Sequence, residues 1–600
     1  MADSGRLLLL GNEAITRGLI EAGVGLAATY PGTPSSEVGK ALEKVASHAG
    51  MYFEYSVNEK VALEVAGAAA ASGVRSFAFM KHVGLNVASD ALLTLACTGV
   101  RAGMVVMTAD DPSCHSSQSE QDNRYYAKLG LIPMLEPSTP AEARDMVVEA
   151  YRLSELLATP VLLRTTTRVN HARGPVDLKR APRPQAKGAF EKDPQRFVTV
   201  PANARLLRLE QLERMERALK LSEASPLNYV VGSSRIGIVT SGVTYTYARE
   251  WLEDVEILKL GFTNPVPEKK ICKFLQGKQR VVVLEELEPY LEDEVRRIAQ
   301  QHGISVEILG KRTGHLPRAF EFSPDVIFSL KNILPVRAEK APVDVPQLAL
   351  PSRPPVLCAG CPHRATYYAA KKAVGNTGAI YSTDIGCYTL GVQPPMQCAD
   401  FTLCMGSSVG AAGGFAQVTD QKVIAFIGDS TFFHAGIPPL INAAYNDHDF
   451  VMVILDNRTT AMTGHQPNPG VGREHGGIET PSIPLEPLVR ACGVKQVRTV
   501  DPYDFNSTIE AMREAVAYDG LAVVIAKRPC PLLKRKEGKL TRSRYQVNQD
   551  RCSQCYICVS RLSCPALTRE DKAVKVDSTM CIGCGVCAQV CPKDAIEVLQ

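Results

Sequence analysis

Six hundred residues with 45% hydrophobic and 22% charged content read as a soluble globular chain long enough for three to five domains. A net charge of +4 gives no electrostatic case for nucleic acid, and the chain shows neither a signal-peptide layout nor an apolar run of the ~18 residues that would span a membrane. Eighteen cysteines, mostly in Cys-x-x-Cys spacings, point to metal ligation in a reducing, cytoplasmic compartment rather than to disulfides.

Residues 1–170 alternate short apolar runs with helical stretches. Runs 6–10, 25–30, 52–57, 75–79 and 103–108 predict strands, and 36–46 and 59–72 predict helices, together a parallel α/β sheet. Three places in it look chemical. Tyr30-Pro31-Gly32-Thr33-Pro34-Ser35-Ser36 sits at a strand end and opens a helix with Ser36 as its N-cap. Lys81-His82-Val83-Gly84 follows another strand. Glu59 opens an alanine-rich helix, where the helix dipole alone would favour a carboxylate, and Glu64 is its nearest rival for a chemical role. The polar loop 110–124 lacks periodicity and suits an active-site lining, a partner contact or a plain surface.

Residues 171–235, basic and proline-containing at their start, read as a linker. A second α/β domain follows over 236–334, with predicted strands at 236–240, 255–258, 281–284 and 306–309. It resembles the small C-terminal domain of transketolase-like enzymes. Glu285 and Glu286 end one of its strands, and solvated carboxylates are the default expectation there. Residues 335–356 hold Pro335, Pro342, Pro346, Pro351, Pro354 and Pro355 and read as an extended linker.

A third α/β domain is expected over 357–530. It opens with Cys358-Ala359-Gly360-Cys361-Pro362-His363 and carries Cys387 after a strand at 380–383. Its centre is a βαβ unit, with strands at 423–427 and 451–455 and a crossover helix at 436–445. Asp429 and Asn457 then stand at the C-terminal ends of parallel strands, where open α/β sheets bind ligands. Asp429, Asn457 and Thr459 supply oxygen for a hard cation such as Mg²⁺, completed by diphosphate oxygens. Gly428 and Gly464 allow close backbone approach to phosphate, and Ser430, Thr459, Thr460 and Thr463 carry hydroxyls. This stretch resembles the thiamine diphosphate motif, Gly-Asp-Gly followed by Asn, with Ser430 in place of the last glycine.

Residues 527–544 are basic and suit either a solvated linker or an acidic docking partner. The tail, 543–600, carries Cys552-x2-Cys555-x2-Cys558-x5-Cys564-Pro and Cys581-x2-Cys584-x2-Cys587-x3-Cys591-Pro, repeating at 29 residues. This is the pattern of bacterial two-cluster ferredoxins, in which the fourth cysteine of each half ligates the other cluster. Cys552, Cys555, Cys558 and Cys591 would hold one [4Fe-4S] cluster, and Cys581, Cys584, Cys587 and Cys564 the other.

Taken with Tyr30–Pro34, Lys81-His82-Val83-Gly84-Leu85-Asn86 and 457–466, the whole chain resembles the 2-oxoacid:ferredoxin oxidoreductases, and within them the large subunit of the indolepyruvate type. The resemblance implies two doubly wound thiamine-diphosphate domains, for pyrimidine (1–170) and diphosphate (357–530), besides the transketolase-like domain and the α+β ferredoxin-like tail. It implies oxidative decarboxylation of aryl 2-oxo acids, coenzyme A as acyl acceptor, ferredoxin as electron acceptor and a smaller beta subunit as partner. Glu59 becomes the carboxylate beside the aminopyrimidine, Thr33 a contact of the substrate carboxylate, His82 and His434 pocket residues, and Met405 the side chain under the bent cofactor. Cys358, Cys361, Cys387 and Cys530 resemble the ligands of a third cluster near thiamine in pyruvate:ferredoxin oxidoreductases, with Cys398 and Cys404 as alternative ligands and plain buried thiols as the other reading. Three functional alternatives stay open: a related oxidoreductase for non-aryl 2-oxo acids, a non-redox thiamine lyase or decarboxylase, and an electron-transfer scaffold with a vestigial thiamine site.

Overall fold

Along the strand Ser76–Lys81, Phe77 and Phe79 bury into one core while Ala78 and Met80 bury into another. That period of two is what a strand covered by helices on both faces requires. The computed structural model describes residues 5–337, 349–351, 354–375, 378–540 and 544–599. Much of the predicted proline linker (338–348 and 352–353) and residues 541–543 of the basic segment lie outside the described residues. The chain divides into two units, Met1–Pro346 and Gln347–Gln600.

The N-terminal unit holds a seven-stranded sheet in the order Phe262–Asn264, Met134–Leu135, Val161–Thr166, Met104–Asp110, Ser76–Lys81, Leu26–Thr29, Tyr52–Tyr55. Its strands are parallel except Phe262–Asn264. The run expected as a first parallel strand, Gly5–Leu10, does not join it. Leu26–Thr29 already pairs on both sides, so Gly5–Leu10 forms an antiparallel ribbon with Arg173–Leu178 and leaves Leu7 and Leu8 exposed. Ser35, not Ser36, precedes the helix Ser36–Ala49, and its hydroxyl donates to the Gly32 carbonyl instead of accepting from the helix.

The expected linker, 171–235, is largely ordered structure. It contains that ribbon strand, a 24-residue helix Pro201–Ala224 and the strand Tyr229–Val231. Pro201 opens the helix at a position whose N–H would have no partner anyway, so a residue that reads as punctuation is favourable there. Only a thin stripe is buried, Leu207, Gln211, Arg214, Ala218 and Ser222, and much of it is polar. Gln211 Nε2, for example, donates to the Gly130 carbonyl at 2.7 Å.

A second sheet in this unit runs Glu307–Leu309, Arg280–Leu284, Ile236–Ser241, Glu256–Leu260, Tyr229–Val231, parallel but for the last strand. Glu285 and Glu286, expected in solvent, are 1% and 5% exposed. Arg124, at the end of the polar loop 110–124, reaches Glu285 at 2.7 Å and Asp122 at 2.6 Å. Alongside, Arg164 pairs with Asp110 at 2.8 Å and Glu136 at 2.9 Å. The loop is therefore an anchored joint between the two sheets of this unit, and a long-range ion pair that no local pattern announces accounts for its burial.

The C-terminal unit holds a five-stranded parallel sheet in the order Ile380–Ser382, Val423–Gly428, Val451–Asp456, Ala522–Lys527, Gln496–Val500. The tail adds two antiparallel pairs, Tyr545–Val547 with Ile596–Val598 and Leu567–Glu570 with Ala573–Val576, and the short helices Ile557–Ser560 and Val586–Val590. It packs on the helices Pro362–Val374 and Phe505–Ala517 through Tyr368, Phe505, Leu562 and Val586. Gln589 fastens the contact, accepting from the Phe505 N–H at 2.9 Å and donating to the Tyr503 carbonyl at 2.7 Å.

Arg124→Ala would leave Asp122 and Glu285 as buried carboxylates without their cation. The N-terminal unit should lose about 3–5 kcal/mol. Denaturation of the full chain, followed through its single tryptophan, Trp251, reads this; a loss below about 1 kcal/mol would show the joint to be dispensable.

Candidate active site and cysteine groups

The parallel register Gly428↔Leu455 places Asp429 beside Asp456, each just at a strand end and each 3% exposed. Burial, and then the Asp456 carboxylate, push Asp429 up to about 8. Asp429 accepts from the Ser430 N–H at 2.9 Å and from Asn468 Nδ2 at 2.9 Å. Asn457 follows Asp456, and its Oδ1 accepts from the Thr459 N–H at 3.1 Å. Among the described residues no three His, Cys, Asp or Glu side chains converge as a single-ion site. A cation here would need the Asn457 amide, backbone oxygen and its ligand's own oxygens as well.

The loop after Asn457 folds back on itself. Thr460 donates to Ser430 Oγ at 2.9 Å, while Thr459 and Thr463, expected as phosphate donors, give their hydroxyl protons to the carbonyl and side-chain oxygens of Gln466 at 3.3 and 2.7 Å. Gly464 has φ 129°, a conformation that favours glycine. Gly428 is needed for a different reason from the expected phosphate contact: a Cβ there would lie 2.5 Å from the Tyr388 ring. Asn468 and Asp384 were not singled out from sequence. Asp384 is fully buried and takes the N–H groups of Gly406 at 2.7 Å and Ser408 at 3.1 Å, so it shapes the turn bearing the half-buried Met405. His434 is buried in the π-helical turn Phe432–Gly436, a geometry frequent at functional sites.

Four cysteines lie near one another and near this site. Burial pushes Cys361 up to about 12, with Cys358 and Cys387 contributing, and Cys387 up to about 11, with Cys530 and Cys358 contributing. Cys530, also raised by burial, feels both Cys358 and Asp429. Cys398 stands apart, fully buried with its Sγ donating to the Met396 carbonyl at 3.2 Å, and Cys404 is exposed on the Asp384 side.

In the tail, Cys558 is raised by burial to about 11 and feels Cys591, Cys555 and Cys552. Cys584, likewise at about 11, feels Cys564 and Cys581, and Cys587 feels Cys584, Cys564 and Cys581. Cys587 also feels Cys558, so the two sets of tail cysteines adjoin one another. The second abuts the Cys358–Cys361 loop: a Cβ on Gly360 would lie 2.2 Å from the Ile582 side chain, and Tyr503, whose hydroxyl donates to the Gly360 carbonyl at 2.6 Å, feels both Cys584 and Cys361.

In the N-terminal unit, Glu59 opens the helix Glu59–Ala71 and is 6% exposed, whereas Glu64 lies in solvent paired with Lys60. Asn58 caps the helix by accepting from the Val61 N–H at 2.9 Å. The Glu59 carboxylate runs against Gly84, where a Cβ would lie 2.7 Å from Oε1. Thr33 is half-buried, its hydroxyl 3.3 Å from Ser36 Oγ. His82 is fully buried and donates from Nε2 to the Ser119 carbonyl at 3.0 Å, so it braces the 110–124 loop.

The pyruvate flavodoxin/ferredoxin oxidoreductase thiamine-diphosphate-binding family matches residues 17–214, the C-terminal thiamine pyrophosphate-binding domain 384–526, and the 4Fe-4S binding domain 574–597. Fold and site thus define a thiamine-diphosphate-dependent 2-oxoacid:ferredoxin oxidoreductase with an iron–sulfur tail. The chain is 50% identical to the indolepyruvate oxidoreductase subunit IorA of Methanothermobacter marburgensis, over 99% of this chain and 97% of that one. It is 44% identical to the IorA subunits of Archaeoglobus fulgidus (99% and 98% covered) and Thermococcus kodakarensis (99% and 97% covered). The chain belongs to the IorA family. Among the described residues, no helix is long and apolar enough to cross a membrane.

Burial, with Lys81 adding to it, lowers the His82 pKa from 6.5 to about 4. Once unfolded, the ring regains its ordinary affinity, so the unfolded chain binds more protons between about 4 and 6.5. Stability contributed here is complete above 6.5 and is lost as pH falls towards 4. His82→Gln should flatten that acid limb in Tm measured from pH 7 downward; an unchanged slope would place the sensitivity on other groups.

Proposed function

We propose that this chain carries the catalytic and electron-transfer centres for oxidative decarboxylation of indolepyruvate and related aryl 2-oxo acids, giving the aryl-acetyl-CoA and CO₂ and reducing ferredoxin. The substrate class rests on the near-full-length identity to IorA subunits, and their naming as subunits supports a second, smaller subunit as partner. Coenzyme A as acyl acceptor rests on the family resemblance.

The donor set fits a diphosphate held through Mg²⁺. Two buried carboxylates side by side, with Asp429 raised to about 8, are relieved by a divalent cation, to which Asp429, Asn457 and the Thr459 carbonyl would contribute oxygen. Bound thiamine diphosphate supplies the electron sink that lets a 2-oxo acid lose CO₂. Glu59, desolvated and held at the helix start, would share a proton with the aminopyrimidine N1′. Thr33 would take the substrate carboxylate, and Met405 would support the cofactor between its rings. Residues 1–170 and 357–530 are thus the pyrimidine and diphosphate domains, 236–334 the transketolase-like domain and 543–600 the two-cluster tail.

The observation that carries the redox reading is the chain of contacts from Asn457, which meets both the Cys530 N–H and His363, to the Cys358–Cys361 loop, where Gly360 lies against Ile582 of the tail. A lyase needs no such path. Three [4Fe-4S] clusters fit it, on Cys358, Cys361, Cys387 and Cys530, then on Cys564, Cys581, Cys584 and Cys587, then on Cys552, Cys555, Cys558 and Cys591. Cys555 in the last group is exposed, a suitable exit to ferredoxin.

The assembled enzyme should reduce ferredoxin with indolepyruvate and coenzyme A, and Glu59→Gln should lower turnover by roughly 100-fold with iron content intact. Near-normal turnover in that variant would refute the acid–base role, and CO₂ release unaffected by omitting ferredoxin would favour the lyase. Iron and acid-labile sulfide should come to about 12 atoms each per chain, on four per cluster. The Cys358→Ala, Cys361→Ala variant should lose about four iron atoms while the tail clusters stay; no loss would end the third-cluster assignment.

A further inference from the structure

Asn457 is gripped from both sides by the cysteine loops. Its Nδ2 donates to His363 Nε2 at 3.3 Å, and its backbone carbonyl accepts from the Cys530 N–H at 2.9 Å. His363 comes two residues after Cys361, and its backbone N–H favours the Cys361 thiolate. The two residues are 3% and 7% exposed, so water does not compete for these bonds.

The geometry fixes which end of the carboxamide faces where. A backbone N–H, that of Thr459, meets Oδ1, which leaves the NH₂ end turned towards His363. An asparagine serves a cation only through its oxygen. In this contact Nε2 is the accepting nitrogen, and in that tautomer the flipped amide is penalised, since the flip would set two lone pairs face to face. The Tyr388 ring stands edge-on to His363 with centroids 6.0 Å apart and interplanar angle 86°, restricting ring rotation.

We propose that His363 is a positioning residue that holds the Asn457 carboxamide with Oδ1 towards the cofactor's cation, and so ties the metal site to the Cys358–Cys361 loop. This rests on Asn457 being a metal ligand. Partners behind a ligand typically change metal affinity by 10–100-fold. His363 thereby joins two functions in one residue: its backbone N–H favours the cysteine thiolate and its ring serves the metal ligand.

Thiamine diphosphate binding by the full, cluster-loaded chain, titrated with Mg²⁺ in a calorimeter, tests this without reference to turnover. His363→Leu should raise the Mg²⁺ concentration for half-saturation by about 10–100-fold. His363→Gln, which can return a carbonyl acceptor, should recover most of the loss. In the Asn457→Ala background His363→Leu should add nothing, since its effect passes through that amide. Wild-type Mg²⁺ dependence in His363→Leu, or a fully additive double variant, overturns the proposal. If His363→Leu sheds iron, His363→Gln with normal iron decides: normal Mg²⁺ dependence supports the role and a Leu-like defect overturns it. Unaltered Mg²⁺ dependence in Asn457→Ala alone would instead defeat the assignment of Asn457 as a ligand.

Discussion

The C-terminal unit is organised by two carboxyl groups that the sheet forces together out of water. Parallel pairing of Val423–Gly428 with Val451–Asp456 sets Asp429 beside Asp456 at the ends of strands whose residues are all buried. Both carboxyl groups are 3% exposed, and Arg458 forms only a loose pair with Asp456 at 3.8 Å. A divalent cation would resolve the conflict, by electrostatic relief as much as by donor geometry. The surrounding loops serve this arrangement: Asn468 steadies Asp429, Gln466 closes the 457–466 turn, and Asp384 pins the turn before Ser408.

The same site explains the placement of the cysteine loops. Cys530 follows the strand Ala522–Lys527, which pairs with Val451–Asp456, so one register brings the thiol beside the strand end at Asn457. The loop at Gly360 comes so close to Ile582 that a side chain there would strike the tail. Arg364 extends the same contact by donating to the Ser563 carbonyl at 2.6 Å, one residue before Cys564. Electron transfer depends on short separation, and these contacts make the tail part of the C-terminal unit's core rather than an appendage.

The N-terminal unit meets a different constraint, the burial of many ionisable groups. Arg124 and Arg164 are each shared by two carboxylates, so the polar loop between Asp110 and Arg124 is rigidly tied at both ends. Between those ends it meets Lys81, the last residue of the strand Ser76–Lys81, whose Nζ donates to the Ser116 carbonyl at 2.8 Å, and His82, two residues before the Gly84 that lies against Glu59. The cost of burying these charges is offset only while every partner is in place, which makes the loop a sensitive support for the Glu59 pocket.

Much of this was legible in the sequence because it is local. Apolar runs of strand length, Asp429 and Asn457 at their ends, and the 29-residue cysteine repeat depend on spacing along the chain, and the family resemblance follows from them. Even the crossed grouping of tail cysteines follows from the repeat. Tertiary structure decided what depends on distant partners. It buried Glu285 against Arg124, moved Gly5–Leu10 out of the sheet, and made a helix of residues read as linker. It turned Thr459 and Thr463 towards Gln466, separated Glu59 from Glu64 by burial, and brought Cys358, Cys361, Cys387 and Cys530 together while leaving Cys398 and Cys404 aside. Spacing records which residues share an element; only packing determines which side chains lose water, and loss of water is what gives a carboxylate, an amide or a thiol its chemistry here.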